Sequence, residues 1–558
     1  MNAARRLYLY GVSAISLLVL SFAVVNLLAL ALARLGFAIN GDDVLVGGDA
    51  LRRSATFSVA LALVTLPVWL LHWWLAERAG DEPHEEDRVS LIRAGFLLSV
   101  CGIAFIILAI RANDLIDGLL STWLGNATTF SDQVDFERVY AWLVVSGSVL
   151  TYHALVRQRD VATGAMTGPS DWIGRLFIHF VALVGAWMLL IGTARLLAVT
   201  FDVIDQQRTF TESQPWVDPI ASGSALALTG FAIWAVSWTY SLRRLARADW
   251  IGDRWRSSDI RCGYLAGLGL VTTLVVMVLL SQTIGAMTAR LIVESRDTDR
   301  VAVDIAKHAA RSLPFIVFAV YHFRQARLEA IDNAVEPART GTARVLRYAA
   351  ALSGVAFTTY GVAGVVALAL DGLDASGGEV LAADDGWQRD LARLLGVTIV
   401  GTAVWLWNWR RVTGTIADEA GMAAHPDAER HALSRRVYLF AISGGAVIAL
   451  FLSVAALVYR LLAALLGVSD GDGLDIELSG PLAVVIVAAP LLLYHLLELR
   501  ADAANRPDAL PDKIVTPDVV SVQLVLSGPS LTALHETAAS LNASLPEGLA
   551  LVIRDLDA

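Results

Sequence analysis

Apolar stretches of about 20 residues or more recur from one end of this chain to the other, and each is long enough to cross roughly 30 Å of hydrocarbon as a helix. They fall near 7–33, 54–76, 91–112, 139–156, 175–200, 220–242, 262–289, 305–323, 346–370, 391–409, 436–465 and 480–499. Alternate stretches end alike. "LPVWLLHWWLAER" closes the second, "LTYHALVRQR" the fourth, "VSWTYSLRR" the sixth, "VYHFRQAR" the eighth, "LWNWRR" the tenth and "LLLYHLLELR" the twelfth. Aligned on these endings, His72, His153, Trp238, His322, Asn408 and His495 follow one another at intervals of 81, 85, 84, 86 and 87 residues. A period held six times implies tandem duplication of a two-helix unit. Each unit crosses twice, so the copies run parallel to one another rather than inverted.

The odd-numbered stretches repeat as well. They open on arginine and often an aromatic residue, as in "RRLYLY", "RCGYLAG", "RYAAALSG" and "RRVYLF", and they close near Arg34, Arg111, Arg195, Arg290 and Arg460, the fifth hairpin placing Gly372 there. The expected fold is an all-α polytopic membrane protein of about twelve transmembrane helices in six parallel hairpins. These hairpins lie near 1–80, 81–160, 161–250, 251–335, 336–420 and 421–503. Composition agrees: 56% of the 558 residues are hydrophobic and 17% are charged, against about a quarter charged in soluble domains. The first stretch follows Arg5 and Arg6 like a secretion signal, but at about 27 residues it is too long for one and resembles the later helices. Past the helices, 504–517 is a proline-punctuated linker, and 518–558 reads as strand, helix, strand, a small cytoplasmic βαβ-like element.

Charge sets the expected orientation. Segments joining even helices to odd ones, with both termini, hold 28 Lys and Arg against 27 Asp and Glu, whereas those inside the hairpins hold 15 against 26. The positive-inside bias places both termini in the cytoplasm. The aromatic-histidine endings then lie on the cytoplasmic side.

The stretch "PVWLLHWWLAER" with the connector "DEPHEEDRVSLIRAGF", together with "RRLYLYGVSAISLLVL", resembles a bacterial family of multi-pass membrane domains of unknown function. Its pattern is an Arg-x-Tyr-x-Tyr helix opening and a Leu-Pro-x-Trp-x-x-His-Trp helix ending. The likeness is best over 5–105 and 431–503; Trp238 and Asn408 depart from the histidine of the pattern. The resemblance implies the fold and supplies no reaction.

Six residues separate His72 from Arg78, about 9 Å along a helix, so an arginine at headgroup level puts the imidazole just beneath the interface, where Trp and Tyr collect. The ordinary reading of His72, His153, Trp238, His322, Asn408 and His495 is a repeated interfacial anchor. Alternatively they line a ligand cavity, since Pro67 and Pro490, five residues before His72 and His495, free a carbonyl and can bend the helix. Axial ligation of haem is the third reading; the chain has no Cys-x-x-Cys-His, and no cofactor is expected. Arg34, Arg111, Arg195, Arg290 and Arg460 read as structural ion pairs, Arg111 with Asp114 and Arg290 with Glu294 at helical spacing, or as an outer-rim site for lipid phosphate or another anion.

Other classes find little support. The charges well inside a span are Lys307, Arg311 and Arg393, whereas ion-coupled transporters place an ionisable group near the bilayer centre. No Walker loop, His-Glu-x-x-His or Gly-x-Ser-x-Gly motif occurs. Cys101 and Cys262 have neither metal nor redox spacing. A net charge of −10 without a basic stripe disfavours nucleic acid. The expectation is a non-enzymatic membrane scaffold or assembly component that contacts lipid and associates with itself or a larger complex through its tail; a channel or facilitator for a small or lipidic solute is the alternative.

Overall fold

The computed structural model describes residues 3–37, 48–78, 90–125, 135–162, 169–206, 216–256, 258–292, 298–332, 337–374, 386–422, 430, 432–466 and 478–504. These are helical, with twelve long helices: α1 (Ala3–Leu32, continued by a π-helical turn Ala33–Phe37), α2 (Gly48–Arg78), α3 (Leu91–Trp123), α4 (Phe136–Ala162), α5 (Pro169–Gln206), α6 (Val217–Leu245), α7 (Asp259–Ile292), α8 (Thr298–Asp332), α9 (Pro337–Asp374), α10 (Gly386–Met422), α11 (Leu433–Leu466) and α12 (Ser479–Ala504). A short helix, Trp250–Arg256, joins α6 to α7. Eleven of the long helices are apolar and long enough to cross a membrane. The exception is α8, the eighth expected span, whose first half carries Lys307, His308 and Arg311. Lys307 pairs there with Asp202 of α5. The chain divides into Met1–Ala501 and Asp502–Ala558; the expected tail element at 518–558 and all but the first residue of the linker 504–517 lie outside the described residues.

Two helices packed side by side cannot enclose a core, so the hairpins associate in pairs. One buried cluster joins Leu9 and Tyr10 of α1, Trp73 of α2, Phe96 and Leu97 of α3 and Val156 of α4. A second joins Ala182 and Leu190 of α5, Trp238 of α6, Tyr264 and Leu268 of α7 and Phe315 and Phe318 of α8. A third joins Tyr348 of α9, Trp409 of α10 and Tyr438 and Leu439 of α11, with Leu491 and Leu499 of α12 packed against it. The structural unit is thus four helices with a period near 169 residues, and the six hairpins are its halves.

Small residues hold the first hairpin of each unit together. A Cβ on Gly185 of α5 would lie 2.5 Å from the Trp234 backbone nitrogen of α6, and one on Gly354 of α9 would lie 2.6 Å from that of Trp405 on α10. Gly192 and Gly361 face the same partner helices, and the corresponding positions of α1, one period earlier, are Ser16 and Ala23, both buried. Without hydrophobic drive between helices in lipid, such close backbone approach is a main source of packing energy. Contacts between units run from α3 to α5 and α6, and from α7 to α9 and α10.

Candidate functional site

Each four-helix unit finishes, at the end where its even helices stop, in the same cluster of aromatic rings around an arginine. In the first unit the Trp73 indole N–H of α2 donates to the Tyr152 hydroxyl of α4 at 2.6 Å. Trp238 donates to Tyr321 at 2.8 Å in the second unit, and Trp409 to Tyr494 at 2.7 Å in the third. Over the tryptophan lies an arginine from the opening of the third helix: Arg93 at 5.9 Å from the ring centre, Arg261 at 4.7 Å and Arg435 at 5.3 Å. All three guanidinium-bearing side chains are buried, so each requires polar partners. Arg93 donates to Glu77 at 2.7 Å, to Asp160 at 2.7 and 3.2 Å and to Tyr10 at 3.2 Å. Arg261 donates to the Ser241 hydroxyl at 2.6 Å and Arg435 to Glu498 at 2.8 Å. Cation–π attraction, indole donation and a polar partner for the guanidinium, a carboxylate in the first and third units and a hydroxyl in the second, converge on one point in each unit, a clamp of tryptophan, tyrosine and arginine.

The residue after each clamp tyrosine is a buried histidine. His153, His322 and His495 are 1%, 1% and 0% exposed. Their Nδ1 atoms lie 2.8, 2.9 and 2.8 Å from the carbonyl four residues earlier. A carbonyl only accepts, so Nδ1 carries the hydrogen and Nε2 is left as the acceptor; among the described residues none of these Nε2 atoms has a partner. Aromatic rings surround them, Phe318 lying 4.1 Å from His322 between ring centres and Trp73 5.5 Å from His153.

The register differs from the one aligned on histidine. Trp238 takes the place of Trp73 and Trp409, and the position of His72 is held by Ser237 and Asn408. The same local bond shows the correspondence: His72 Nδ1 to the Val68 carbonyl at 2.8 Å, Ser237 to Ile233 at 2.7 Å and Asn408 to Val404 at 2.8 Å. His72 is half-buried, away from the clamp core, and its Nε2 meets the Tyr8 hydroxyl at 3.3 Å. The structure therefore brings His153, His322, His495 and Trp238 to equivalent aromatic cores, whereas His72 and Asn408 occupy another face of the second helix. In the sequence the openings of Arg261 and Arg435 are visible as a repeat, but Arg93, Arg261 and Arg435 do not stand out as a site, because an "Arg-x-x-aromatic" opening looks like any helix start at a membrane surface.

The closing arginines are not one repeated site. Arg111 pairs with Asp114 at 2.9 Å. Arg195 lines a cavity of about 540 Å³ with Asp117, Asp202, Asp218 and Arg311. Arg34 and Arg290 are exposed, and Glu294, the partner expected for Arg290, lies outside the described residues. Arg460 has a buried Nη1 with no hydrogen-bond partner among the described residues. No group of three or more His, Cys, Asp or Glu able to hold a metal ion occurs among the described residues.

Residues 6–148, 175–320 and 344–490 each match the family model of a domain of unknown function, DUF5671. The three matched stretches follow the three four-helix units. No curated protein and no solved structure matches the chain.

Proposed function

We propose that this chain, which belongs to the DUF5671 family, is a non-enzymatic scaffold or assembly component of the bacterial inner membrane, with twelve spans and both termini cytoplasmic. One observation carries this reading: in all three units the indole, phenol and guanidinium groups of the clamp are turned onto one another or onto a neighbouring carboxylate or hydroxyl, and so tie together the ends of the second, third and fourth helices, with Tyr10 adding the first helix in the first unit. Groups satisfied in this way fix geometry. The ion pair between Lys307 and Asp202 supports α8 as a span beside the other eleven, because pairing offsets the cost of charge in hydrocarbon. Lipid covers the apolar outer faces, and the tail at 518–558 holds the protein to itself or to a larger membrane complex.

The second reading, a channel or facilitator for a small or lipidic solute, draws on the cavity between Asp117, Arg195 and Arg311. Reconstitution into liposomes tests the choice. A scaffold leaves entrapped ions and small solutes at the leak rate of protein-free vesicles, whereas saturable flux overturns the first reading in favour of the second.

A further inference from the structure

Where the first unit meets the second, on the clamp side, a cavity of about 330 Å³ opens between α3, α4, α5, α6 and the short helix Trp250–Arg256. Four arginines from four elements line it: Arg157 of α4, Arg175 of α5, Arg244 of α6 and Arg254 of the short helix. Among the described residues that line it, none is acidic. The mixed cavity around Arg195 contrasts with it, since there Asp117, Asp202 and Asp218 face the cations. Each guanidinium has five N–H donors, so one engaged with the protein, as Arg175 is with the Arg254 carbonyl at 2.7 Å, can still present others to the cavity.

The walls are built to stay in place. Asp249 accepts from the Gly252 backbone at 3.1 Å at the start of the short helix, and Arg256 donates to the carbonyls of Leu245 and Arg247 at 2.7 and 3.0 Å. Trp255 packs on Tyr240 with ring centres 6.0 Å apart and on His179 at 5.9 Å. Gly174 leaves room for the Arg157 guanidinium, which occupies the space that a Cβ there would need.

The cavity is also graded. Arg157 lies four residues past His153 and Arg244 six past Trp238, about 6 and 9 Å further along their helices, at the level of headgroups if the tryptophans mark the interface. Leu97, Cys101, Phe177 and Ile178 continue the wall inward from the arginines as an apolar surface. Positive charge above apolar wall selects an amphipathic anion.

We propose that this cavity binds a phosphate group, and that its occupant is an anionic phospholipid whose phosphate meets Arg157, Arg175, Arg244 and Arg254 while an acyl chain lies against Leu97, Phe177 and Ile178. The proposal deepens the lipid-contacting role above, but the site stands or falls separately from the absence of flux.

The test uses the full chain in nanodiscs of phosphatidylcholine, titrated with phosphatidylglycerol and followed by native mass spectrometry, with inorganic phosphate titrated in parallel. Wild type should retain one phosphatidylglycerol, and Arg157→Gln with Arg244→Gln should weaken retention at least tenfold while keeping the melting temperature. Ile178→Trp fills the apolar wall and leaves the arginines, so it should weaken the lipid and spare inorganic phosphate. Phosphate binding lost in the arginine variant, with no lipid retained by wild type, would keep the phosphate site and overturn the lipid as its occupant. Equal binding of both probes by wild type and the double-arginine variant would overturn the site. Solute flux by a protein that still retains the lipid would sink the scaffold reading alone.

Discussion

Gly396 of α10 sits so close to Gly285 of α7 that a Cβ built on Gly396 would approach the Gly285 backbone nitrogen to 2.7 Å. This is the contact of the second unit with the third, and it admits no side chain without a shift of backbone. Gly396→Val should therefore pry α7 from α10 and destabilise by about 1–3 kcal/mol, the usual cost of overpacking. Thermal unfolding in detergent checks this; an unchanged melting temperature would show that the two units are not held by this contact.

The indole-to-phenol bond is repeated three times and should be worth a similar amount each time. Tyr321→Phe keeps the ring and leaves the Trp238 N–H without its acceptor, for about 1–3 kcal/mol. Trp238→Phe combined with Tyr321→Phe should cost less than the sum of the two single changes. A double-mutant cycle giving strict additivity would mean that the bond contributes nothing.

Arg93 is buried with two carboxylates, so removing one partner should be more harmful than removing a surface charge. Asp160→Asn keeps the shape and removes half of the negative charge facing Arg93, and it should destabilise by up to about 3–5 kcal/mol. Arg138→Gln, at an exposed pair with Asp135, should cost below about 1 kcal/mol. Comparable losses at the two sites would contradict the assignment of Arg93 as a buried tie between α2, α3 and α4.

Orientation can be read at the two ends of α9. In a background lacking Cys101 and Cys262, a cysteine replacing Asp374 should react with a membrane-impermeant maleimide added outside, and one replacing Pro337 should not. The opposite labelling pattern would invert the topology.

The three histidines with open Nε2 atoms allow a direct spectroscopic check. If His153, His322 and His495 are packing residues, the purified protein is colourless; a Soret band abolished by His322→Ala would establish haem ligation instead.

Much of this architecture can be read from periodicity alone, because a helix that crosses lipid must be apolar for about 20 residues and duplication repeats the pattern. The helices, their pairing into hairpins and the recurrence of Tyr-His endings at 152–153, 321–322 and 494–495 are all visible in this way. The register was harder to see. Hairpin endings align on the histidine of His72, but what recurs in space is the tryptophan beside it, because Trp73, Trp238 and Trp409 each reach across to the equivalent tyrosine on the fourth helix of the unit. His72, Ser237 and Asn408 differ freely because their shared task, a bond to the carbonyl four residues back, can be done by any small polar group. The pairing of hairpins into four-helix units is tertiary information: it depends on which faces meet, and every face of such helices is apolar enough to meet lipid.

The first helix of each unit opens, and the last closes, at the clamp: Tyr10 and Asp160 both meet Arg93, and the rings of Tyr348 and His495 both pack on Tyr438. A unit that returns the chain to the side it came from can be added or deleted without inverting anything downstream. The number of units then behaves like the number of rungs on a ladder, free to change by one in a single recombination, with every later segment delivered to its original compartment. Chain length in such proteins becomes a ruler for the width of membrane covered, adjustable in steps of four helices.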